Sequence, residues 1–418
     1  NLGTEEEPNK PFNLTTVVDA STVADVLATI TSEDADLTKA FADTVAKYLS
    51  NTKEPSTAGV IDELTDGYYL VQDASAPEID EDNNASLNSG AKTRYILKVV
   101  GDDVEVNAKQ AAPTVDKQVY DNDDKVTTGD NNDWGETADH AINESFQFKL
   151  TAKIPGNPQI ASYDTYKIVF NDTMSNGVTF ENIASIKVAG VDIKDITSAW
   201  SDDISEDPEA SKDGLDWSLT VNNVKAHIPT GKTWGTDEIV VEVIYNAHLN
   251  ANAIVSDIDY DGVYSGVNNN NVFLQYSNNP NWDGTGTEEL GETVDDTVGV
   301  FTYKVTNTKY ANSIGEGNEL GGAKFELYSD AACENKVPVK VVDGSDGKYY
   351  IPDVASGTNY TITSQGDGTF NFVGFDAGTY YVKETEAPEG YNLLTEVKTI
   401  TITAVHSEKS DGTGATLD

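Results

Sequence analysis

Two strand-like stretches near the C-terminal end of the sequence each carry a charged residue on their apolar face. Side chains alternate between the two faces of a β-strand. In GTYYVKETEAPEGYNLL this alternation puts Glu384 on the same face as Tyr380 and Val382. In FTYKVTNTKY it puts Lys309 on the face that carries Tyr303. Because an unpaired charge in a core is costly, each of these residues needs a partner inside the domain.

A lysine and a glutamate that share a core can act as a nucleophile and an acid. Burial lowers the pKa of a lysine and raises that of a glutamate, so the pair can exist as a neutral amine and a neutral acid. A neutral amine can attack an asparagine carboxamide while the acid donates a hydrogen bond to the carbonyl oxygen. Ammonia leaves, and a Lys–Asn isopeptide bond remains. The alternative is an ordinary buried pair with a snorkelling lysine.

A second set of inward-facing reactants lies in the middle of the chain. Lys117 in TVDKQVY, Asp172 in YKIVFNDTMSNGVTF and Asn270 in NNNNVFLQYSNNP each share a strand face with apolar residues. A shift of one residue in the register of the last stretch turns Asn271 inward instead. The sequence therefore predicts a lysine, an acid and an amide in one core, with an ordinary buried triad as the alternative.

The overall composition excludes several classes of partner. The formal charge is -44, from 71 acidic and 27 basic residues, and it repels nucleic acid and anionic membranes. Cys333 is the single cysteine, so no internal disulfide is predicted, and no apolar run approaches the roughly 18 residues of a membrane span. The histidines form no cluster by spacing, and the Asp-rich loops lack EF-hand spacing. We therefore expect neither a metal nor a cofactor.

The pattern of residues divides the chain into three domains and predicts a mainly β fold. Short alternating runs rich in Thr, Val and Tyr are broken by Gly, Asn and Asp, which favours tandem Ig-like β-sandwiches. Residues 21–50 carry Ala and Leu at helical spacing and predict one or two helices. Interruptions at 107–119 and at the Gly- and acid-rich connector 281–299 separate the domains. The predicted domains are residues 1–112, 113–298 and 299–418.

The stretches NELGGAKFELY and GDGTFNFVGFDAGTYYVKETEAPEGY carry a family resemblance in the third domain. They resemble the collagen-adhesin B-type repeat of Gram-positive surface proteins, in which ETxAPxGY is the E-box of pilins. The resemblance implies that Lys309 and Glu384 are the lysine and the promoting acid of an autocatalytic isopeptide bond. Its asparagine belongs to the final strand, yet no asparagine follows Asn392. We expect this partner beyond Asp418; otherwise the domain cannot close its bond.

The three inward-facing residues of the middle domain carry a second resemblance. Their segments, together with IVVEVIYNAHLNANA, resemble the collagen-adhesin A-like domain of pilins. The resemblance implies a bond between Lys117 and Asn270, or Asn271 as the register alternative, promoted by Asp172. We expect this bond to join the first strand of the domain to its last and to carry tension past the rest of the fold.

A different lysine is predicted to be exposed at the junction of the first two domains. In DDVEVNAKQAAP, Val104 and Val106 share one face, so Lys109 points away from it. The segment resembles the pilin motif, a valine-rich strand that ends in Tyr-Pro-Lys, although Asn-Ala-Lys stands here. The resemblance implies that Lys109 attacks the thioester that sortase forms with the next subunit. The alternative is a solvated lysine without a role in assembly.

Together these motifs resemble those of the major backbone pilins of sortase-assembled pili on Gram-positive bacteria. The implied role is a secreted, cell-wall-linked structural subunit and not an enzyme. The implied partners are further copies of the chain in head-to-tail order, a pilin-class sortase, and tip and base pilins. A cell-wall-anchored adhesin for a host or matrix ligand is the alternative. A secreted glycosidase is disfavoured, since no carboxylate pair stands outside the isopeptide positions.

Overall fold

The computed structural model describes most of the chain from residue 112 onward and a smaller part before it. The described residues are 20–29, 41–42, 45, 61, 64–72, 94–100, 112–121, 133–193, 214, 216–258, 264–280, 288, 290–344, 347–353, 357–403, 406–408 and 415–417. Within them the chain is mostly β-strand, arranged as two successive sandwiches. The predicted fold class is confirmed.

The predicted first domain contributes one helix, three further helical residues and one strand pair to the described residues. Helix α1 (Ala20–Leu27) begins one residue before the segment 21–50 that was predicted to be helical, and residues 41, 42 and 45 are helical as well. Strands β1 (Gly67–Gln72) and β2 (Arg94–Val99) pair antiparallel. Among the described residues, no helix is long and apolar enough to cross a membrane.

The middle domain is a sandwich of two six-stranded sheets. Its strands are β3 (Thr114–Tyr120), β4 (Trp134–Gly135), β5 (Thr137–Asp139), β6 (Ser145–Ile154), β7 (Ile168–Met174), β8 (Val178–Val188), β9 (Val191–Asp192), β10 (Asp216–Val221), β11 (Ile239–Leu249), β14 (Asn268–Ser277), β15 (Leu290–Glu292) and β16 (Asp296–Phe301). Sheet I has the order β4-β3-β6-β11-β8-β9. Sheet II has the order β10-β7-β14-β16-β5, and β15 also pairs with β14. The remaining elements are helix α2 (Pro158–Ala161), a 3-10 turn (Val224–His227), and the short pair β12 (Asp257–Ile258) and β13 (Tyr264–Ser265).

Strict alternation of apolar and polar residues builds this sandwich. Along β11 every second side chain is buried, and the strand lies between β6 and β8 at the centre of sheet I. Phe148, Leu150 and Tyr245 of sheet I and Phe170 and Leu274 of sheet II are buried in one core. The two inner faces thus define a dry space into which any polar side chain must bring its own partner.

The predicted connector 281–299 contains strand structure that the sequence analysis missed. Its described residues include β15 and the start of β16, and both strands pair with β14. The apolar run of β16 follows directly on an acidic, Gly-rich stretch. Because the two together read as one polar segment, the sequence pattern assigns β16 to the connector. The predicted domain border at 298/299 falls inside β16, which continues to Phe301.

The third domain is a smaller sandwich of two four-stranded sheets, with a separate C-terminal hairpin. Its strands are β17 (Tyr303–Val305), β18 (Lys324–Tyr328), β19 (Val339–Gly344), β20 (Gly347–Pro352), β21 (Ile362–Thr363), β22 (Asn371–Phe375), β23 (Gly378–Glu386), β24 (Lys398–Ile402), β25 (His406–Glu408) and β26 (Ala415–Leu417). The two sheets have the orders β17-β22-β20-β19 and β21-β18-β23-β24, and the hairpin pairs β25 with β26. Phe325, Leu327, Phe372 and Val382 lie in its core.

The middle and third domains are in direct contact. The amide of Ile142 donates to Gly374 O at 2.9 Å, and Asn143 Nδ2 donates to Pro352 O at 2.7 Å. From the C-terminal hairpin, His406 Nδ1 lies 2.7 Å from Thr137 Oγ1. A single buried residue, Thr302, separates β16 from β17. This junction is therefore an interface rather than a free linker.

Position 374, at this junction, requires glycine because of its backbone conformation and because of the close approach of Ile142. Its φ is +75°, and a Cβ there would lie 2.2 Å from Ile142 Cδ1. We expect Gly374→Ala to lower the free energy of unfolding, measured by urea titration, by about 2 to 4 kcal/mol through left-handed strain and overpacking. Gly190→Ala is the matched control, because Gly190 has a φ of +82° with nothing within 4 Å and should lose about 1 kcal/mol. Equal losses would contradict the packing argument.

Candidate functional site

The middle-domain site is assembled from both sheets of the sandwich. Lys117 lies on β3 of sheet I, whereas Asp172 and Asn270 lie on the neighbouring strands β7 and β14 of sheet II. In that antiparallel register Asp172 stands opposite Val272, so the acid and the amide are close along the paired strands. All three face inward as the alternation predicts, and the lysine side chain spans the space between the sheets.

The structure brings the three predicted reactants into contact. Lys117 Nζ lies 2.5 Å from Asp172 Oδ2 and 2.7 Å from Asn270 Oδ1. Lys117 and Asn270 are 0% exposed and Asp172 is 1% exposed. The rings of Phe148 and Tyr245 lie 5.4 and 5.8 Å from the amine. The amine, the acid and the amide therefore meet in a space closed to water.

Asn270, and not Asn271, presents its side chain to the lysine. The side chain of Asn271 donates to Thr297 Oγ1 at 2.9 Å, and only its main-chain oxygen approaches Lys117 Nζ, at 3.4 Å. The Asn270 amide has a defined orientation, because the amine donates to its oxygen while its Nδ2 donates to Tyr245 Oη at 2.6 Å.

Burial shifts the proton affinity of the amine and of the acid in opposite directions. Burial lowers the pKa of Lys117 below its ordinary value, although the nearby carboxylates of Asp172 and Asp296 oppose this effect. Burial raises the pKa of Asp172 above its ordinary value, against the effects of Lys117 and of the hydrogen bond from Tyr245. Both shifts favour a neutral amine beside a neutral acid, which is the state in which the lysine is a nucleophile.

Two residues at this site were missed by sequence reasoning. Tyr245 of β11 donates from its hydroxyl to Asp172 Oδ2 at 3.1 Å and accepts from Asn270 Nδ2. Asp296 of β16 accepts from the main-chain amide of Lys117 at 2.6 Å and ties β3 to the opposite sheet. Alternation along IVVEVIYNAHL turns Tyr245 inward and was an available signal. No sequence signal pairs Asp296 with Lys117, because that contact crosses between sheets.

The third domain holds a lysine and a carboxylate in a similar arrangement. Lys309 Nζ lies 3.2 Å from Glu384 Oε1 and 3.3 Å from Oε2, and the main-chain amide of Leu394 donates to Oε2 at 2.7 Å. Glu384 is 2% exposed, while the Lys309 side chain is 16% exposed. Among the described residues, no asparagine side chain is hydrogen-bonded to this amine. The predicted pair is thus together without an amide partner.

One expectation about the middle domain is wrong. Asn270 lies on β14, and β15 and β16 follow it in the same sheet, so its strand is not the last of the sandwich. The reason is the acidic stretch before β16, which resembled a connector. A link from Lys117 to Asn270 would enclose residues 118–269 and leave β16 outside the loop.

The remaining predicted lysine, Lys109, lies outside the described residues. Two groups of potential metal ligands occur within them, each with its donor atoms within 4.8 Å of one another: Asp121, Asp139 and His406, and His140, Glu144 and Asp376. In the first group His406 Nε2 lies 3.5 Å from Asp139 Oδ1. This contact crosses the domain junction and is an ion pair when the imidazole is protonated.

The fold and the site define a class of tandem β-sandwich proteins with lysine–carboxylate sites buried inside successive domains. Residues 142–280 match the family model described as Gram-positive pilin backbone subunit 2, Cna-B-like domain. Residues 304–414 match the SpaA prealbumin-like fold domain. The resemblance to backbone pilins is confirmed for residues 142–280, and the second description gives the fold of residues 304–414. The family description is Cna-B-like where the middle-domain motifs indicated an A-like domain. These matches support a pilus backbone subunit.

Several solved structures are similar to this chain. The 35 kDa C-terminal fragment of the major pilin GBS80 of Streptococcus agalactiae is 19% identical with a TM-score of 0.47, covering 70% of this chain and 91% of that one. BcpA, the major pilin subunit of Bacillus cereus, is 17% identical with a TM-score of 0.45, covering 81% and 82%. The pilus backbone RrgB of Streptococcus pneumoniae is 17% identical with a TM-score of 0.44, covering 70% and 94%. No curated protein matches the sequence. The family models therefore carry the assignment.

Proposed function

We propose that this chain is the backbone subunit of a covalently polymerised cell-surface pilus, strengthened by an isopeptide bond between Lys117 and Asn270. The observation that carries the proposal is the position of Lys117 Nζ, which lies 2.7 Å from the Asn270 amide and 2.5 Å from Asp172 in a buried core. The proposed division into residues 1–112, 113–298 and 299–418 assigns this bond to the middle domain.

The chemistry requires no cofactor and no outside reactant. The neutral Lys117 amine attacks Asn270 Cγ, a bond forms between Nζ and Cγ, and the bond from Cγ to Nδ2 breaks. Nζ loses one proton, Nδ2 gains one and departs as ammonia, and Asp172 carries protons without entering the product. The closed core excludes water from the reacting carbonyl. This is a single self-directed reaction, and the proposal therefore assigns no turnover of external substrates.

The bond would have a mechanical role in the shaft. Tension that reaches Lys117 would cross directly to Asn270, so the enclosed segment 118–269 would carry none of it. The chain between Asn270 and the third domain, including β16, would stay under load. It is held there by its ladder with β14 and by the contact of Asp296 with the Lys117 amide. The proposed Lys117–Asn270 bond therefore protects most of the middle domain from unfolding under force.

Intact-mass spectrometry of the purified chain tests the proposal. The mass should be lower than the sequence mass by one ammonia, and digestion should release a cross-linked peptide that joins Lys117 to Asn270. Lys117→Ala supplies the control and should have its full sequence mass. A native protein without the mass deficit would refute the bond.

The third domain should differ in this experiment. Lys309 and Glu384 are in contact, but no asparagine follows Asn392, so the chain ending at Asp418 should not lose a second ammonia. A version extended through the following strand should lose one more, with a cross-linked peptide that contains Lys309. If the extended protein shows no further loss, Lys309 and Glu384 are an ordinary buried pair.

Assembly of the shaft is proposed to use Lys109. Lys117 is buried and the Lys309 side chain is only 16% exposed, whereas attack on a sortase acyl-enzyme requires an amine that the bulky enzyme can reach. The proposed partners are thus other copies of the chain, a pilin-class sortase, and tip and base pilins at the two ends. Secretion and attachment to the cell wall of a Gram-positive bacterium follow from this role.

A further inference from the structure

The hydroxyl of Tyr245 lies between the acid and the leaving group of the proposed reaction. It accepts a hydrogen bond from Asn270 Nδ2 at 2.6 Å and donates to Asp172 Oδ2 at 3.1 Å and to Oδ1 at 3.3 Å. Asp172 has a direct hydrogen bond to Lys117 Nζ but none to Asn270. All four side chains are buried in the same core.

This arrangement leaves one proton transfer without a direct route. Formation of the isopeptide bond requires that one proton leave Lys117 Nζ and that one arrive on Asn270 Nδ2. The second transfer is needed because the NH2⁻ anion is too poor a leaving group, whereas ammonia can depart. Asp172 contacts the first of these nitrogens and not the second. Bulk solvent does not reach the site, because the three reactants are at most 1% exposed. The Tyr245 hydroxyl touches both the acid and the second nitrogen.

We propose that Tyr245 is a catalytic residue that relays the proton from Asp172 to the departing Asn270 nitrogen. The proposal rests on the isopeptide bond proposed above and adds a residue that takes part in its formation. The expulsion of ammonia, and not the attack of the amine, is the step that depends on this hydroxyl.

The protons balance along this route. After Nζ adds to Cγ, Tyr245 gives its hydroxyl proton to Nδ2 and takes the proton of the neutral Asp172 carboxyl. Asp172 then takes one proton from Nζ, and the bond from Cγ to Nδ2 breaks to release ammonia. Tyr245 and Asp172 return to their starting protonation states. Burial raises the pKa of Tyr245 well above its ordinary value, so the hydroxyl carries its proton at the start of this route.

The ring of Tyr245 is held independently of its hydroxyl. Its centroid lies 5.2 Å from that of Trp217 in an edge arrangement, 5.3 Å from Phe148 and 5.8 Å from Phe180. Tyr245→Phe keeps these ring contacts and removes the hydroxyl, which is both the proposed relay and the acceptor for Asn270 Nδ2. Tyr166→Phe is a matched control, because Tyr166 is equally buried in the same core but contacts Tyr163 and Trp234 rather than the reactants.

The test is a time course of bond formation in the full chain. The wild type and the two variants are made by cell-free synthesis, synthesis is stopped, and samples are taken for intact-mass analysis. Tyr245→Phe should close its bond at least about 100-fold more slowly than the wild type, as expected when a general acid is removed. Tyr166→Phe should match the wild type. A third sample carries 3-fluorotyrosine at position 245, which changes the acidity of the phenol and keeps the hydroxyl.

Each outcome decides the proposal. Slow closure in Tyr245→Phe, together with a rate in the fluorinated protein that differs from that of the wild type, supports the relay. Equal rates in Tyr245→Phe and in the wild type overturn the relay and leave the isopeptide bond standing. If the fluorinated protein closes at the wild-type rate, the hydroxyl is only structural and the relay is overturned. A wild-type protein that never loses ammonia overturns both proposals.

Discussion

Asp172→Ala is expected to give a folded protein whose middle domain is not cross-linked and unfolds about 10 to 20 °C below the wild type. Lys117 and Asn270 are 153 positions apart, and closing a loop of that size restricts the unfolded chain by about 5 kcal/mol in the chain-entropy model. For a domain of this size each kcal/mol corresponds to about 2 to 4 °C. Scanning calorimetry gives the midpoint, and intact mass shows whether ammonia has been lost.

Asp296→Ala is the matched control for this variant. Asp296 also lies beside Lys117, but it accepts from the main-chain amide and not from the amine. The charge of Asp296 favours the protonated amine, so its removal leaves the nucleophile neutral, and this variant should still close the bond. If Asp172→Ala loses ammonia as the wild type does, the acid has no part in the reaction.

Lys109→Ala is expected to abolish the high-mass polymer ladder in cells that make the full-length protein with its sortase. Strand alternation predicts an outward side chain for Lys109 at the predicted junction of the first two domains, and the proposed role requires that a bulky enzyme reach it there. Immunoblots of cell-wall extracts report the ladder, and intact mass of the monomer should still show the internal bond, because Lys117 is a separate, buried lysine.

Two further variants sharpen this experiment. Lys109→Arg should fail as well, because a guanidinium remains protonated and is a poor nucleophile. Lys98→Ala removes an exposed lysine from β2 of the same domain and should leave the ladder unchanged. A ladder that persists in Lys109→Ala would move the role to another exposed lysine. A wild-type protein that forms no ladder beside a pilin sortase would favour the anchored-adhesin hypothesis.

Strand alternation was enough to predict which lysine and carboxylate side chains face the two cores, and it left two asparagines open for the amide. Lys117, Asp172 and Asn270 were assigned inward from the pattern of their own strands, and all three are buried. The same test selected Lys309 and Glu384, which lie in contact. This works because the period of two is a local property of the extended backbone and needs no knowledge of the rest of the fold.

Contacts that cross between sheets were decided by the tertiary structure. The sequence predicted an inward amide but left Asn270 and Asn271 open, and only the stacking of β3 on β14 brings Asn270 to the amine. Tyr245 and Asp296 joined the site for the same reason. Their positions depend on how two separately formed sheets are stacked and offset, and alternation within a strand carries no information about that offset.

The limits of the strands also depended on long-range pairing. β16 follows an acidic, Gly-rich stretch and resembled part of a connector, yet it pairs with β14 on one side and, in parallel, with β5 on the other. His406 likewise meets Asp139 only because the C-terminal hairpin folds back onto the middle domain. Composition reports the average polarity of a segment, whereas a strand forms wherever a neighbouring strand edge satisfies its backbone hydrogen bonds, and that edge comes from distant parts of the chain.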